Sequence, residues 1–185
     1  MKQGVDLVNR KSLHNAIDGL LRSINLLHQN KLLLPAMMMT YSTIDILSSL
    51  TCTVPATEST GSDFKNWVNR YLLPGSQLCC SADDLWGARC GLIHTYTSNS
   101  SLSQKGKIRK IVYLSGVLDE PLRNTTDFVA GEYLVVVSQD LFNALSTALT
   151  RFMADLKTDV ILENRVIERA DKLFVSIPMN LEVEM

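Results

Sequence analysis

The chain has 185 residues, 46% of them hydrophobic and 20% charged, with a formal net charge of −1. That balance excludes a disordered chain and a protein that coats nucleic acid with a uniformly basic surface, while leaving room for a local basic site. The length suits one domain spanning 1–185, and four cysteines (Cys52, Cys79, Cys80, Cys90) without C-x-x-C spacing point to free thiols in a reducing, cytoplasmic setting, with no metal, cofactor or disulfide frame.

The opening MKQGVDLVNRKS carries no apolar run of signal-peptide length. Leu13, Ile17, Leu20, Ile24 and Leu27 then recur every three or four residues, which predicts a helix with one buried stripe. Ser12 is its expected N-cap, Asn30-Lys31 its end, and His28 a solvated residue in its last turn. The run Leu32–Leu50 is long enough to span a bilayer, but it contains Pro35 and Asp45. An aspartate in mid-membrane costs roughly 2.5–3.5 kcal/mol on insertion scales, so a central helix from about Pro35 to about Leu50 is expected instead, with no membrane contact. Asp45 interrupts its apolar stripe and needs a cation or several donors. A salt bridge between two helices meets that need, and a pairing with Arg89 is one form of it.

Thr51–Gly61 reads as a loop, followed by a short helix capped by Ser62 with Phe64, Trp67, Val68, Tyr71 and Leu72 inside. Ser81 with Asp84 three residues on is a capping box, and Leu85, Ala88 and Leu92 supply the buried face of the helix that it opens. Downstream, Lys105, Lys107, Arg109 and Lys110 form a basic run that suits either a guide for a polyanion or a solvated strand edge. Ile111–Leu114 and Glu132–Val137 are expected strands, paired as an antiparallel hairpin. Ser138 is expected to cap a helix carrying Phe142, Leu145, Leu149, Phe152 and Leu156, and a last helix runs from about Asp159 to Phe174 with Val166, Ile167, Ala170 and Leu173 inside. The expected fold is mainly α: a bundle of about five to six helices with a small antiparallel β-hairpin.

The chemistry concentrates in Ser81–Tyr96, SADDLWGARCGLIHTY, where a guanidinium, an imidazole and a phenol lie close in sequence. Residues five apart on a regular helix are rotated by about 140° from each other. Arg89 and His94 therefore share a site only if the helix ends or distorts near Gly91, or if a second chain brings the partners together.

At Arg89-Cys90-Gly91-Leu92-Ile93-His94 the sequence resembles the HEPN family (higher eukaryotes and prokaryotes nucleotide-binding), whose signature is an arginine, four to six residues, then a histidine on a late helix of a small bundle. It is similar to an uncharacterised prokaryotic subgroup over TYSTIDILSSL (Thr40–Leu50), DFKNWVNRYLLPG (Asp63–Gly75), DLWGARCGLIHTYT (Asp84–Thr97) and KGKIRKIVYL (Lys105–Leu114). The likeness covers roughly residues 12 to 114, leaving 115–185 as the hairpin strand and C-terminal helices. It implies a homodimeric, metal-independent endoribonuclease or RNA-binding domain of a toxin or defence system. In that scheme Arg89 holds the scissile phosphate and His94 is the general acid or base. Asp45 and Cys90 would support or orient them, and Lys105, Lys107, Arg109 and Lys110 would guide RNA. The position after the arginine departs from the pattern: active members usually carry Asn, Asp or His there, and Cys90 is a weaker hydrogen-bonding group. The alternative is a non-catalytic nucleotide-binding or protein-interaction module. His94-Thr95-Tyr96 also matches the His-x-Tyr extension of toxins paired with a nucleotidyltransferase antitoxin, which makes Tyr96 a candidate modification site.

Overall fold

The computed structural model describes residues 2–53, 59–96, 108–115, 127–128 and 133–173. Its described elements are α1 (Lys2–Gln29), α2 (Leu33–Thr51), α3 (Gly61–Trp67), α4 (Ala82–Thr95), β1 (Lys110–Leu114), β2 (Asp127–Phe128), β3 (Tyr133–Val137), α5 (Ser138–Thr158) and α6 (Val160–Leu173). The class is mainly α, and no described helix is long and apolar enough to cross a membrane.

Helix α2 is the centre because it is apolar on several faces. Ala36, Met37, Tyr41, Ile44, Leu47 and Leu50 are buried, and α2 packs against α1, α3, α4, α5 and α6. Pro35 lies in its first turn, where a missing N–H costs no helical bond. At its other end, Arg169 Nε donates to Ser49 O (2.7 Å) and Arg165 Nη1 to Thr51 O (3.1 Å), so two cations of α6 satisfy carbonyls of the last turn of α2. The stripe expected on α5 is buried throughout, as are Leu85, Ala88 and Leu92 of α4 and the five apolar positions of α3 and its continuation. One hydrophobic cluster joins residues from Leu13 to Ala170, so α5 and α6 share the core of α1–α4.

Four local expectations are corrected. Helix α1 begins at Lys2, which places Ser12 inside the helix rather than at its cap. His28 is half-buried, its ring centre 4.7 Å from that of Phe142 in an edge-on contact, because Phe142 of α5 packs against the end of α1. Thr60, not Ser62, caps α3 in a reciprocal box with Asp63. Val137 precedes the first turn of α5, so Ser138 sits within it, its buried hydroxyl without a hydrogen-bond partner among the described residues. By contrast, the Ser81–Asp84 box is present as expected, and Asp159 Oδ1 accepts from the N–H groups of Ile161 and Leu162 at the start of α6. After Trp67 the helix widens into a π-type turn, Val68–Leu72, whose closing bond runs from Leu73 N to Val68 O.

The strands also correct the expected hairpin. β1 and β3 pair in parallel, from Lys110 with Tyr133 to Leu114 with Val137, in a sheet ordered β1-β3-β2. Residues 115–132 separate the two strands, far more chain than a tight turn needs, and such a connection permits a parallel crossover. The antiparallel partner of β3 is the short β2. A hydrogen bond between the Tyr41 and Tyr113 hydroxyls ties β1 to α2.

Candidate functional site

Helix α4 carries the candidate residues and is anchored at its start. Asp84 is buried, and its carboxylate accepts from the Ser81 N–H (2.9 Å) and hydroxyl (2.8 Å), the Arg109 N–H (3.0 Å) and Arg109 Nη2 (2.7 Å). Burial pushes this carboxyl up, but the donors from Arg109 and Ser81 outweigh it and hold Asp84 below the usual value of 3.8. Arg109, expected among RNA-guiding cations, is thus committed to an ion pair between β1 and α4. Lys110 lies over the ring of Tyr133 at 5.1 Å, while Lys105 and Lys107 fall outside the described residues.

Two turns along α4, Arg89 meets Asp45 of α2. Nε of Arg89 donates to Asp45 Oδ2 at 2.7 Å, and Nη2 lies 2.7 Å from the same oxygen in an ion pair. This is the cation that the lone charge on α2 requires. The side chains keep 19% (Arg89) and 23% (Asp45) of their surface exposed, so the pair lies at the rim of the core rather than within it. Burial pushes the Asp45 carboxyl up from 3.8, more than the bond and charge of Arg89 and the charge of His94 pull it down. Among the described residues its second oxygen, Oδ1, carries no hydrogen bond.

Arg89 also reaches His94, Nη1 to Nε2 at 3.0 Å. A guanidinium has only donors, so Nε2 receives this bond on its lone pair and the ring proton sits on Nδ1. The two residues meet within one chain, although α4 runs unbroken through Gly91. The angular offset of their Cα atoms is overcome by the length of the arginine side chain together with the position of His94 in the last turn. Tyr96 N closes that turn on both Gly91 O and Leu92 O before Tyr96 itself turns left-handed, at φ 54°. A second chain is not needed to bring Arg89 and His94 together.

The remaining candidates take outlying places. Cys90 is half-buried, and burial pushes its thiol up despite the pull of neighbouring Arg89, which leaves an uncharged group there. Tyr96 is 55% exposed beyond the helix end. No described group of His, Cys, Asp and Glu is arranged to hold a metal ion.

Four neighbours were not singled out by sequence. Trp86, one turn before Arg89, has its ring centre 5.0 Å from the guanidinium carbon. Ser49, one turn after Asp45, and Ser59 complete a depression of about 250 Å³ with Asp45, Ile46, Trp86 and Arg89. Trp86 and Ser49 share helical faces with Arg89 and Asp45, a signal readable from spacing. Gly61 gives no such signal: a Cβ there would lie 2.8 Å from Trp86 Cε2, so the bare backbone of α3 is what seats the indole.

Comparison with protein-family models, with curated proteins and with solved structures finds no match. What this site can do is therefore a matter of its own chemistry.

Proposed function

We propose that this chain is an HEPN-like RNA-binding domain with metal-independent endoribonuclease activity, acting as a homodimer in a toxin or defence setting. The observation that carries the reading is the contact of Arg89 Nη1 with His94 Nε2 at 3.0 Å, with Asp45 holding the opposite edge of the guanidinium. A phosphodiester entering here exchanges the imidazole for its own non-bridging oxygens on Arg89, a charge-assisted bond stronger than the one lost. The Nε2 lone pair is then released beside the ribose. His94 takes the 2′-OH proton, the 2′-oxygen bonds to phosphorus, and the bond from phosphorus to the 5′-oxygen breaks. The products are a 2′,3′-cyclic phosphate and a 5′-hydroxyl, whose proton comes from water or from the His94 of a second copy. Arg89 stabilises the charge that builds on the phosphoryl oxygens.

Cys90 favours a second reading. Its thiol is uncharged and supplies no strong donor beside Arg89, which suits a site that binds RNA or a nucleotide without turnover. The exposed Tyr96 hydroxyl is open to a nucleotidyltransferase partner, as the His-x-Tyr spacing implies. Wild type, Arg89→Ala and His94→Ala incubated with structured RNA in EDTA separate these possibilities. Cleavage by wild type alone, leaving cyclic phosphate ends, is expected. Identical behaviour of all three proteins sinks the catalytic reading, and RNA binding that depends on Arg89 without any cleavage selects the second.

A further inference from the structure

We infer that the depression between α2 and α4 is a nucleobase subsite, selective for bases that carry an exocyclic amino group and rejecting uracil. The inference rests on the phosphate role proposed for Arg89 and names what lies beside that phosphate.

Three features of the depression support it. Its lining is mostly apolar, with Ile46 and Trp86 offering carbon surface and the Ser49 and Ser59 hydroxyls placed among them, the usual make-up of a site for a flat, partly polar ring. Arg89 belongs to its wall and also touches His94, which is outside the lining; a phosphate on Arg89 therefore has the imidazole to one side and the depression to the other. Asp45 lines it too, and among the described residues its Oδ1 carries no hydrogen bond, which leaves an acceptor at the rim of the depression. The hydroxyl hydrogen of Ser49 is already given to Ile46 O at 2.8 Å, so Ser49 faces a ligand as an acceptor.

Two acceptors, Asp45 Oδ1 and the Ser49 hydroxyl oxygen, set the preference, the guanidinium of Arg89 being taken by Asp45 and the phosphate. A carboxylate oxygen beside a serine acceptor attracts N–H groups. Guanine, adenine and cytosine each present an amino group that can reach such a pair. The single ring N–H of uracil is flanked by two carbonyl oxygens, which the carboxylate repels. Trp86 holds the opposite wall: Gly61 seats its indole and Phe64 packs against it with ring centres 5.3 Å apart, so the wall is rigid before a ligand arrives.

Calorimetric titration with inorganic phosphate and with the 3′-monophosphates of guanosine, adenosine, cytidine and uridine tests the inference. The three amino-bearing nucleotides are expected to bind at least about tenfold more tightly than phosphate, and the uridine nucleotide about as weakly as phosphate, a gap of one good hydrogen-bonded contact. Ser49→Leu fills the depression and should bring the three down to the level of phosphate without altering phosphate binding. Ser59→Leu repeats the test from the other wall should the first variant fold poorly. Equal affinity for all four nucleotides and phosphate, unmoved by either folded variant, overturns the subsite while phosphate binding sensitive to Arg89→Ala keeps the function proposed above. Selective nucleotide binding that survives Arg89→Ala keeps the subsite and removes the phosphate role of Arg89. No binding of any of the five overturns both.

Discussion

Two aspartate–arginine pairs flank α4, and they differ in how much bonding capacity they leave unused. At the start of the helix, Asp84 spends both oxygens on four donors and keeps only 5% of its side chain exposed. Further along, Asp45 spends one oxygen, Arg89 extends past it to an imidazole, and an open depression adjoins both. The same two residue types thus serve as a fastening in one place and as a loaded but incomplete set of partners in the other. The carboxyl directions agree: saturation with donors holds Asp84 below its ordinary value, whereas burial with a single cation leaves Asp45 above it. A pair is available to a ligand when its hydrogen-bond inventory is unfinished, not merely when it is charged.

The two pairs should differ most in turnover. His94→Ala should lower RNA cleavage by about 10²- to 10⁴-fold, the usual worth of a general base. Because His94 is exposed, the melting temperature should stay within a degree or two of wild type, an effect of about 0.5 kcal/mol or less. Asp84→Ala should do the reverse. It removes the carboxylate that pairs with Arg109 and uncaps α4, and urea denaturation should show a loss of about 3 kcal/mol. If Asp84→Ala left stability unchanged, the fastening role would be gone.

Gly61→Ala is a smaller perturbation that links the two regions. The new methyl group must push the Trp86 ring, at a cost of about 1–3 kcal/mol, and the ring backs the guanidinium of Arg89. Phosphate affinity should fall with stability in this variant, and a fall in stability alone would show that Trp86 does not position Arg89.

The smallest effects are in pH dependence, where the two carboxyls have opposite signs. Asp84 is depressed when folded, so its stabilisation is present above the unfolded value of 3.8 and is lost as pH falls through the lower folded value. Asp45 is raised, so its contribution is full below 3.8 and declines as pH rises through the higher folded value. Denaturation curves between about pH 2 and pH 6 should therefore lose acid sensitivity in Asp84→Asn and lose the opposing slope in Asp45→Asn. Parallel curves for the two variants would erase the distinction between the pairs.

Much of the scaffold is legible locally. Leu145, Leu149, Phe152 and Leu156 lie on one face because a helix repeats every 3.6 residues, and that face is buried. The Ser81–Asp84 box is legible because a capping serine and its acidic partner lie three residues apart. The pairing of β1 with β3 is not, since alternation marks a strand without marking its neighbour or direction, and residues 115–132 allow either. The basic run shows the same limit. Arg109 and Lys110 are adjacent and alike in sequence, yet one is consumed by Asp84 and the other lies over Tyr133.

For the site, the residues by themselves determined that α2 is central, that Asp45 requires a cation or several donors, and that Ser81–Tyr96 brings a guanidinium and an imidazole close in sequence. Each follows from local spacing or from the cost of an unpaired charge in an apolar face. Only the tertiary structure decided that the cation is Arg89 and that Arg89 and His94 join within one chain. It also decided that Trp86, Ser49 and Ser59 close a depression beside them. Spacing along a helix fixes where a Cα points, but a long arginine side chain, a partner 44 residues away and a glycine seat for an indole depend on which helices pack together.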